Sequence, residues 1–315
     1  MTWRTFTDMS MQSKSDRKLS MLAVFAHPDD ESLMMGGTLA RYAREGAEVS
    51  LICATRGEWG AISDPALATQ ETLALVREGE LRDACRVLGV TRLEFLDCPD
   101  SGVNHTYWPE IEEKIVRHIR EFRPHVIVTF GPDGLYGHPD HIAVSMLTTA
   151  AFKSAGETCC FTDQLEQGLQ PHQAEKLYYA QFPQTLVPEM LEALSVDHEA
   201  PAPWGFDADS FGVPEELIST RVDVADDVMT KLRALRCHRT QLAADNIFTF
   251  IDDETARRFL SQEYYRLVGA ETIGGIIEDD LFDNVMSSQI GVNDSGLISR
   301  PGAGRANEQS WNKEP

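Results

Sequence analysis

Strand-length apolar runs alternate with helix-period stretches through most of the chain, and this alternation restricts it to one class of fold. Strand candidates lie at 21–25, 49–54, 92–96, 125–130, 177–182 and 217–224. Helical stretches separate the early strands at 32–45, 67–88, 108–122 and 140–152, and the helical period returns at 225–241 and 253–267. Gly46, Gly89 and Pro124 stand where the first three helices should stop. Such a pattern builds βαβ units with right-handed crossovers, hence an α/β fold: a Rossmann-like, mostly parallel sheet flanked by helices.

Two tracts punctuate that pattern. Ala-His-Pro-Asp-Asp-Glu occupies 26–31 and Gly-His-Pro-Asp-His occupies 137–141, each following a strand and opening a helix. Ligands of parallel sheets sit at the carboxyl ends of strands. The two junctions share a pocket only if strands one and four are neighbours, which predicts a strand order of 3-2-1-4 with the later strands added beyond.

The residues of the tracts divide by chemistry. His27 ends a strand and Asp30 lies three residues on, so imidazole and carboxylate can face one ion, with His141 as a third ligand from the second tract. Three N/O ligands and an open position are the arrangement of a catalytic zinc; ferrous iron, Fe2+, suits the same donors. Asp29 is expected to face the water on the metal, whose pKa zinc lowers to about 7, and to accept its proton. Asp140 is expected to pair with His138 and hold it charged beside the open position. For one tract alone, Pro139 and Asp140 could simply start a helix; two tracts at two strand ends count against that.

With these residues in view, the chain resembles the zinc-dependent N-acetylglucosaminyl deacetylases, the PIG-L/LmbE-like family, over about 19–265. Secondary matches are Thr55-Arg56-Gly57-Glu58, the helix bearing Arg77, Glu80 and Ala84, Asp100 after strand three, and His238-x-x-Gln241. The resemblance implies an LmbE-like fold and hydrolysis of an acetamide on an N-acetylglucosamine-type sugar or conjugate, releasing acetate. It implies Zn2+ on His27, Asp30 and His141, Asp29 as general base, and His138 as an oxyanion-stabilising imidazolium oriented by Asp140. Tyr136 matches a mobile active-site tyrosine of the mycothiol-pathway branch. Arg77, Asp100, Glu58 and His238 are the implied substrate contacts. Each has a plainer reading: an Arg77–Glu80 surface pair, a turn aspartate, a loop acid, and a satisfied helix histidine.

Composition narrows the partners. The chain has 28 Lys and Arg against 50 Asp and Glu, a net charge of −22, which repels nucleic acid and anionic membranes. A small-molecule amino-sugar substrate is expected, with no nucleic acid and no membrane partner; a homo-oligomer is compatible, but the oligomeric state is not readable. The six cysteines form no C-x-x-C pair, and no apolar run approaches the roughly 20 residues of a membrane span. A cytoplasmic protein is expected, since cleavage after the first apolar run would remove His27. Residues 1–18 read as a flexible extension, 19–269 as one domain with a loop bearing a short helix at 157–174 and an irregular segment at 196–214, and 270–315 as an acidic, disordered tail.

Two other functions fit less well. An amidase acting on a bulkier amide, such as a thiol conjugate, would use the same site. A non-catalytic nucleotide-binding or regulatory protein would want G-x-G-x-x-G after strand one, where this chain has His-Pro-Asp-Asp-Glu.

Overall fold

In a computed structural model of the chain, residues 18–193, 211–243, 246–269 and 278–285 are described. The extension expected before residue 18, most of the 196–214 segment and most of the tail lie outside them. The chain runs β1 (Ser20–Phe25), α1 (Asp30–Arg44), β2 (Glu48–Cys53), α2 (Leu73–Leu88), β3 (Arg92–Phe95), α3 (Trp108–Phe122) and β4 (Val126–Phe130). A kinked turn α4 (Gly134–Gly137) leads into α5 (Pro139–Ser154), followed by α6 (Thr162–Glu166), β5 (Lys176–Gln181) and α7 (Leu186–Ala193). Then come β6 (Thr220–Asp223), α8 (Val228–Leu235), α9 (Ile247–Phe250), α10 (Asp253–Leu260) and β7 (Gln262–Leu267).

The strands form one sheet in the order β3-β2-β1-β4-β5-β7-β6, so the expected 3-2-1-4 order holds. β1 lies parallel between β2 and β4, with Phe25 opposite Cys53 and Met21 opposite Val126. Every residue of β1 and β4 is buried, because helices cover both faces and leave no solvent-facing alternation. β7 runs antiparallel to both β5 and β6.

The C-terminal third corrects three expectations. The helix expected over 253–267 ends at Leu260, and Gln262–Leu267 is β7. Its strand period was hidden because Glu263 occupies an inward position alongside buried Tyr265. Glu263 takes 2.7 Å from Lys231 Nζ and accepts the N–H groups of Gly37 (2.9 Å) and Thr38 (2.7 Å). Those groups are free to donate because α1 kinks at Met35 (φ −149°, ψ 26°). Gly37 is required there: a Cβ would lie 2.6 Å from the Val224 side chain. The helix expected over 225–241 covers only Val228–Leu235, after which turns carry His238 inward. Within the expected tail, residues 278–285 pack as structure. Glu278 accepts from Lys176 Nζ (2.7 Å) and Tyr178 Oη (2.5 Å), and Leu281 is buried. Earlier, α2 starts at Leu73 instead of residue 67, since the Thr69 and Thr72 hydroxyl and backbone groups bond one another as a turn.

Candidate active site

The loops after β1, β2, β3 and β4 and the turn after α8 meet in a cavity of about 570 Å³. His27 follows β1 and its N–H donates to Asp30 Oδ2 (2.7 Å) at the start of α1. His27 Nδ1 lies 3.2 Å from His141 Nε2 and 3.5 Å from Asp30 Oδ2, and His141 Nε2 lies 3.5 Å from Asp30 Oδ1. Donors about 2.0–2.1 Å from a tetrahedral ion stand about 3.3 Å apart, so these three side chains fit one divalent cation. The ring nitrogens of His27, His138 and His141 also lie within 4.8 Å of one another. Phe130, the last residue of β4, stacks on His141 with ring centroids 3.9 Å apart and planes 6° apart, which fixes the ring.

The three donors differ in ionisation. Burial pushes the His141 imidazole down to about 4 against the pull of Asp30, leaving the neutral ring a ligand requires. Against the push of burial, His141 and His27 hold the Asp30 carboxyl well below the ordinary range. Burial also opposes a charge on His27, but Asp100, Asp140 and Asp30 together raise its pKa well above the usual value. The positive charge these three carboxylates favour is that of the His27 imidazolium, which must give up its proton to serve as a ligand.

Asp100 and Asp140 take positions different from those expected. His27 Nε2, the nitrogen turned away from His141, faces Asp100 Oδ1 at 3.2 Å and Asp140 Oδ2 at 3.4 Å. Asp140 Oδ1 accepts the Val103 N–H (3.0 Å) and Asp100 Oδ2 accepts the Trp59 N–H (2.8 Å). The expected Asp140–His138 carboxylate pair is absent. Instead the Asp140 backbone N–H donates to His138 Nδ1 (3.2 Å), with His138 as the N-cap of α5. An Nδ1 that accepts carries no proton, and burial and His27 both lower the His138 pKa. With Nδ1 accepting the Asp140 N–H, Nε2 is the nitrogen of His138 that can donate, and burial with His27 works against the expected imidazolium, which nearby Asp140, Asp30 and Asp100 favour. A single residue at N-cap cannot both receive its N2 backbone proton on Nδ1 and hold a proton there.

Asp29 sits at φ 123°, ψ −28°, a conformation costly for a residue with a side chain. Its N–H donates to Glu31 Oε2 (3.0 Å), and its carboxylate takes 3.1 Å from Arg77 Nη2. Arg77 also donates to Pro28 O (2.6 Å) and Gly57 O (2.9 Å). A third of the Asp29 side chain opens to the cavity, yet protein surrounds the floor on which it lies. That burial pushes its pKa up to about 6, with Arg77 pulling the other way. A carboxylate poised there can take a proton near neutral pH.

The remaining expected residues divide. Tyr136 stands edge-on to His138 and His141, at 5.8 and 5.4 Å between centroids, and forms cavity wall. His238 lines the cavity and is buried, with Nε2 2.9 Å from Glu31 Oε1. Arg77 is buried and holds Asp29, and Glu80 accepts from Thr240 N (3.0 Å) and Oγ1 (2.6 Å), so the surface-pair alternative fails. Glu58 is not among the cavity-lining residues; its Oε1 accepts the Asp100 N–H (2.9 Å). Sequence reasoning gave no role to Glu31 or Trp59. The signals were there: a third acid in the first tract, and an aromatic residue in a glycine-flanked loop at a strand end.

A model of the PIG-L family, GlcNAc-PI de-N-acetylase, matches residues 22–152. A 1D-myo-inositol 2-acetamido-2-deoxy-alpha-D-glucopyranoside deacetylase of Streptomyces scabiei is 35% identical, covering 84% of this chain and 89% of that protein. The chain belongs to the PIG-L family. Among solved structures, the N,N'-diacetylchitobiose deacetylase of Pyrococcus horikoshii superposes with a TM-score of 0.60 at 22% identity, covering 79% of this chain and 83% of that one. GalB, a 4-carboxy-2-hydroxymuconate hydratase from Pseudomonas putida, superposes at 0.53 with 17% identity, covering 82% and 99%. These two likenesses concern the fold, and a fold that also serves a hydratase leaves the reaction to the site. Gly36 and Gly37 lie inside α1 of this PIG-L member, away from any strand-end phosphate cradle.

Proposed function

We propose that this deacetylase uses zinc to remove acetyl from an N-acetylglucosaminide, and that the α-glycoside of myo-inositol named for its Streptomyces relative is the first substrate to test. The reading rests on one observation: a donor triangle of His27, Asp30 and His141 with a separate, unligated carboxylate, Asp29, on the same cavity floor.

A divalent ion held by those three side chains would supply a Lewis acid and a water acidified to near neutrality. Asp29 accepts the proton of the attacking water and returns it to the departing amine. Arg77 and Glu31 hold Asp29 in the backbone conformation that directs it into the cavity. The Nε2–H of His138 donates to the oxyanion of the tetrahedral intermediate. Asp100 and Asp140 orient His27 through its outer nitrogen, as carboxylates do behind ligand histidines. Tyr136 closes the wall over His138 and His141. None of the helices among the described residues is long and apolar enough to cross a membrane, and the six cysteines are all unpaired.

The test is acetate release from metal-loaded enzyme, with metal content measured on the same sample. N-acetylglucosaminyl-myo-inositol should be hydrolysed, and Asp29→Ala should keep its metal while losing about 10²- to 10⁴-fold in kcat. A fully active Asp29→Ala would refute the mechanism. No acetate from any N-acetylglucosaminide would refute the function.

A further inference from the structure

Seven residues other than glycine have positive φ among the described residues; six lie between 50° and 71°, and Asp29 alone stands at 123°. A residue with a side chain persists there only where its surroundings over-determine the backbone. Two braces do this. From α2, Arg77 Nη2 donates to Asp29 Oδ2 (3.1 Å) and to Pro28 O (2.6 Å). From α1, Glu31 Oε2 accepts the Asp29 N–H (3.0 Å). An acid that reaches back to the N-cap N–H ordinarily stands at the third helical position. Glu31 stands at the second, with Asp29 as N-cap, so its carboxylate needs an anchor of its own.

That anchor comes from 207 positions along the chain: Glu31 Oε1 accepts from His238 Nε2 (2.9 Å), besides the adjacent Ser32 Oγ (2.5 Å). Imidazole and carboxylate are both buried. His238 Nδ1 is buried without a partner, so Glu31 is the one polar contact of the ring among the described residues. The turn that carries His238 is itself fastened. Thr240 N and Oγ1 donate to Glu80 of α2 (3.0 and 2.6 Å), one helical turn from Arg77. Gln241 Nε2 donates to Ala61 O (3.1 Å) in the loop after β2. A single turn after α8 thus holds the acid that braces Asp29 from α1 and abuts the helix that braces it from α2.

We propose that His238 is a positioning residue for the general base: it fixes the Glu31 carboxylate, which fixes the Asp29 backbone and so aims the Asp29 side chain at the attacking water. This rests on the deacetylase reading and deepens it, because His238 then acts through Asp29 and not on the substrate. Without the imidazole, Glu31 keeps only its neighbour Ser32, and Asp29 is free to leave its costly conformation. Misplacing a reacting group by about 1 Å costs on the order of 10²-fold in rate. The loss belongs in kcat, since ground-state contacts to the substrate are untouched.

The test uses metal-loaded wild type, His238→Ala, His238→Asn and His238→Gln on N-acetylglucosaminyl-myo-inositol. The Gln amide matches the reach of Nε2, whereas the Asn amide stops short of Glu31. His238→Ala and His238→Asn should lose about 10- to 100-fold in kcat, with KM and metal content within about threefold of wild type. His238→Gln should recover most of the loss. Placed in an Asp29→Ala background, His238→Ala should lower the residual kcat by less than about threefold, since the group it positions is gone. A raised KM with unchanged kcat would overturn the proposal in favour of a substrate contact. A full further loss in the Asp29→Ala background, or no recovery by Gln, would overturn it as well. If His238→Ala fails to fold, the contrast between Asn and Gln carries the decision. Crystal structures of wild type and His238→Asn read the same point without turnover: Asp29 should leave φ near 123° in the variant, and an unchanged Asp29 backbone would overturn the proposal. Absence of acetate release from wild type would count against the deacetylase reading, while the two structures would still decide the positioning.

Discussion

At the scale of single residues, the two tracts disclosed which side chains converge but not how each one is used. His27, Asp29, Asp30, His138 and His141 all line one cavity, because strand ends in adjacent parallel strands leave their next residues nowhere else to project. Asp140 shows the limit. Its spacing from His138 suggested a pair, yet its carboxylate reaches His27 Nε2 at 3.4 Å and the Val103 N–H at 3.0 Å, a residue contributed by a different loop. Asp140→Asn should therefore act through His27, the proposed ligand, weakening metal affinity about 10- to 100-fold. Chelator competition measures this. A variant with unchanged metal affinity and a lowered kcat would instead restore the role expected from sequence. Asp100 was read as a sugar contact, and it too stands behind His27; its partner lies 73 positions away, and no local pattern encodes such a pairing.

At the scale of elements, boundaries were legible wherever burial followed a simple period. The helix over 108–122 was found at its observed limits, and five strands were placed within a residue or so of their ends. β7 was missed because its core contact is ionic. Glu263 joins Lys231 to the freed N–H groups at the α1 kink, so an acid stands where a strand of this kind would ordinarily present an apolar side chain. Removing one partner of a buried, hydrogen-bonded ion pair is costly. Glu263→Ala should lower unfolding free energy by about 3–5 kcal/mol, whereas Lys231→Met with Glu263→Gln should lose less than the sum of the two single changes. Denaturant unfolding of wild type, Glu263→Ala, the two single changes and the double variant checks this, and strict additivity would show that the pair is not the unit that matters.

At the scale of the molecule, burial couples stability to pH through groups far from the cavity. His118 of α3 is buried with Nε2 2.7 Å from Ser50 Oγ of β2, and burial, aided by Arg92, pushes it from 6.5 down to about 4. Between those values the unfolded chain binds the proton and the folded chain does not, so stability is lost as pH falls. From pH 7 to pH 5 this amounts to about 2 kcal/mol. His118→Gln should remove that part of the slope, seen as a wild-type-minus-variant difference in unfolding free energy that changes by that amount. A difference independent of pH would show that His118 is protonated alike in both states. Sequence alone determined the α/β class, the 3-2-1-4 strand order and the convergence of two tracts on a metal-binding chemistry, since chain period and strand-end geometry are local properties. Tertiary structure alone decided that Asp100 and Asp140 face His27, that β7 joins β5 to β6 beside an ion pair and that Trp59 stands in the cavity. Each of those depends on groups distant in the chain being brought within hydrogen-bonding or packing distance, and only the folded chain sets those distances.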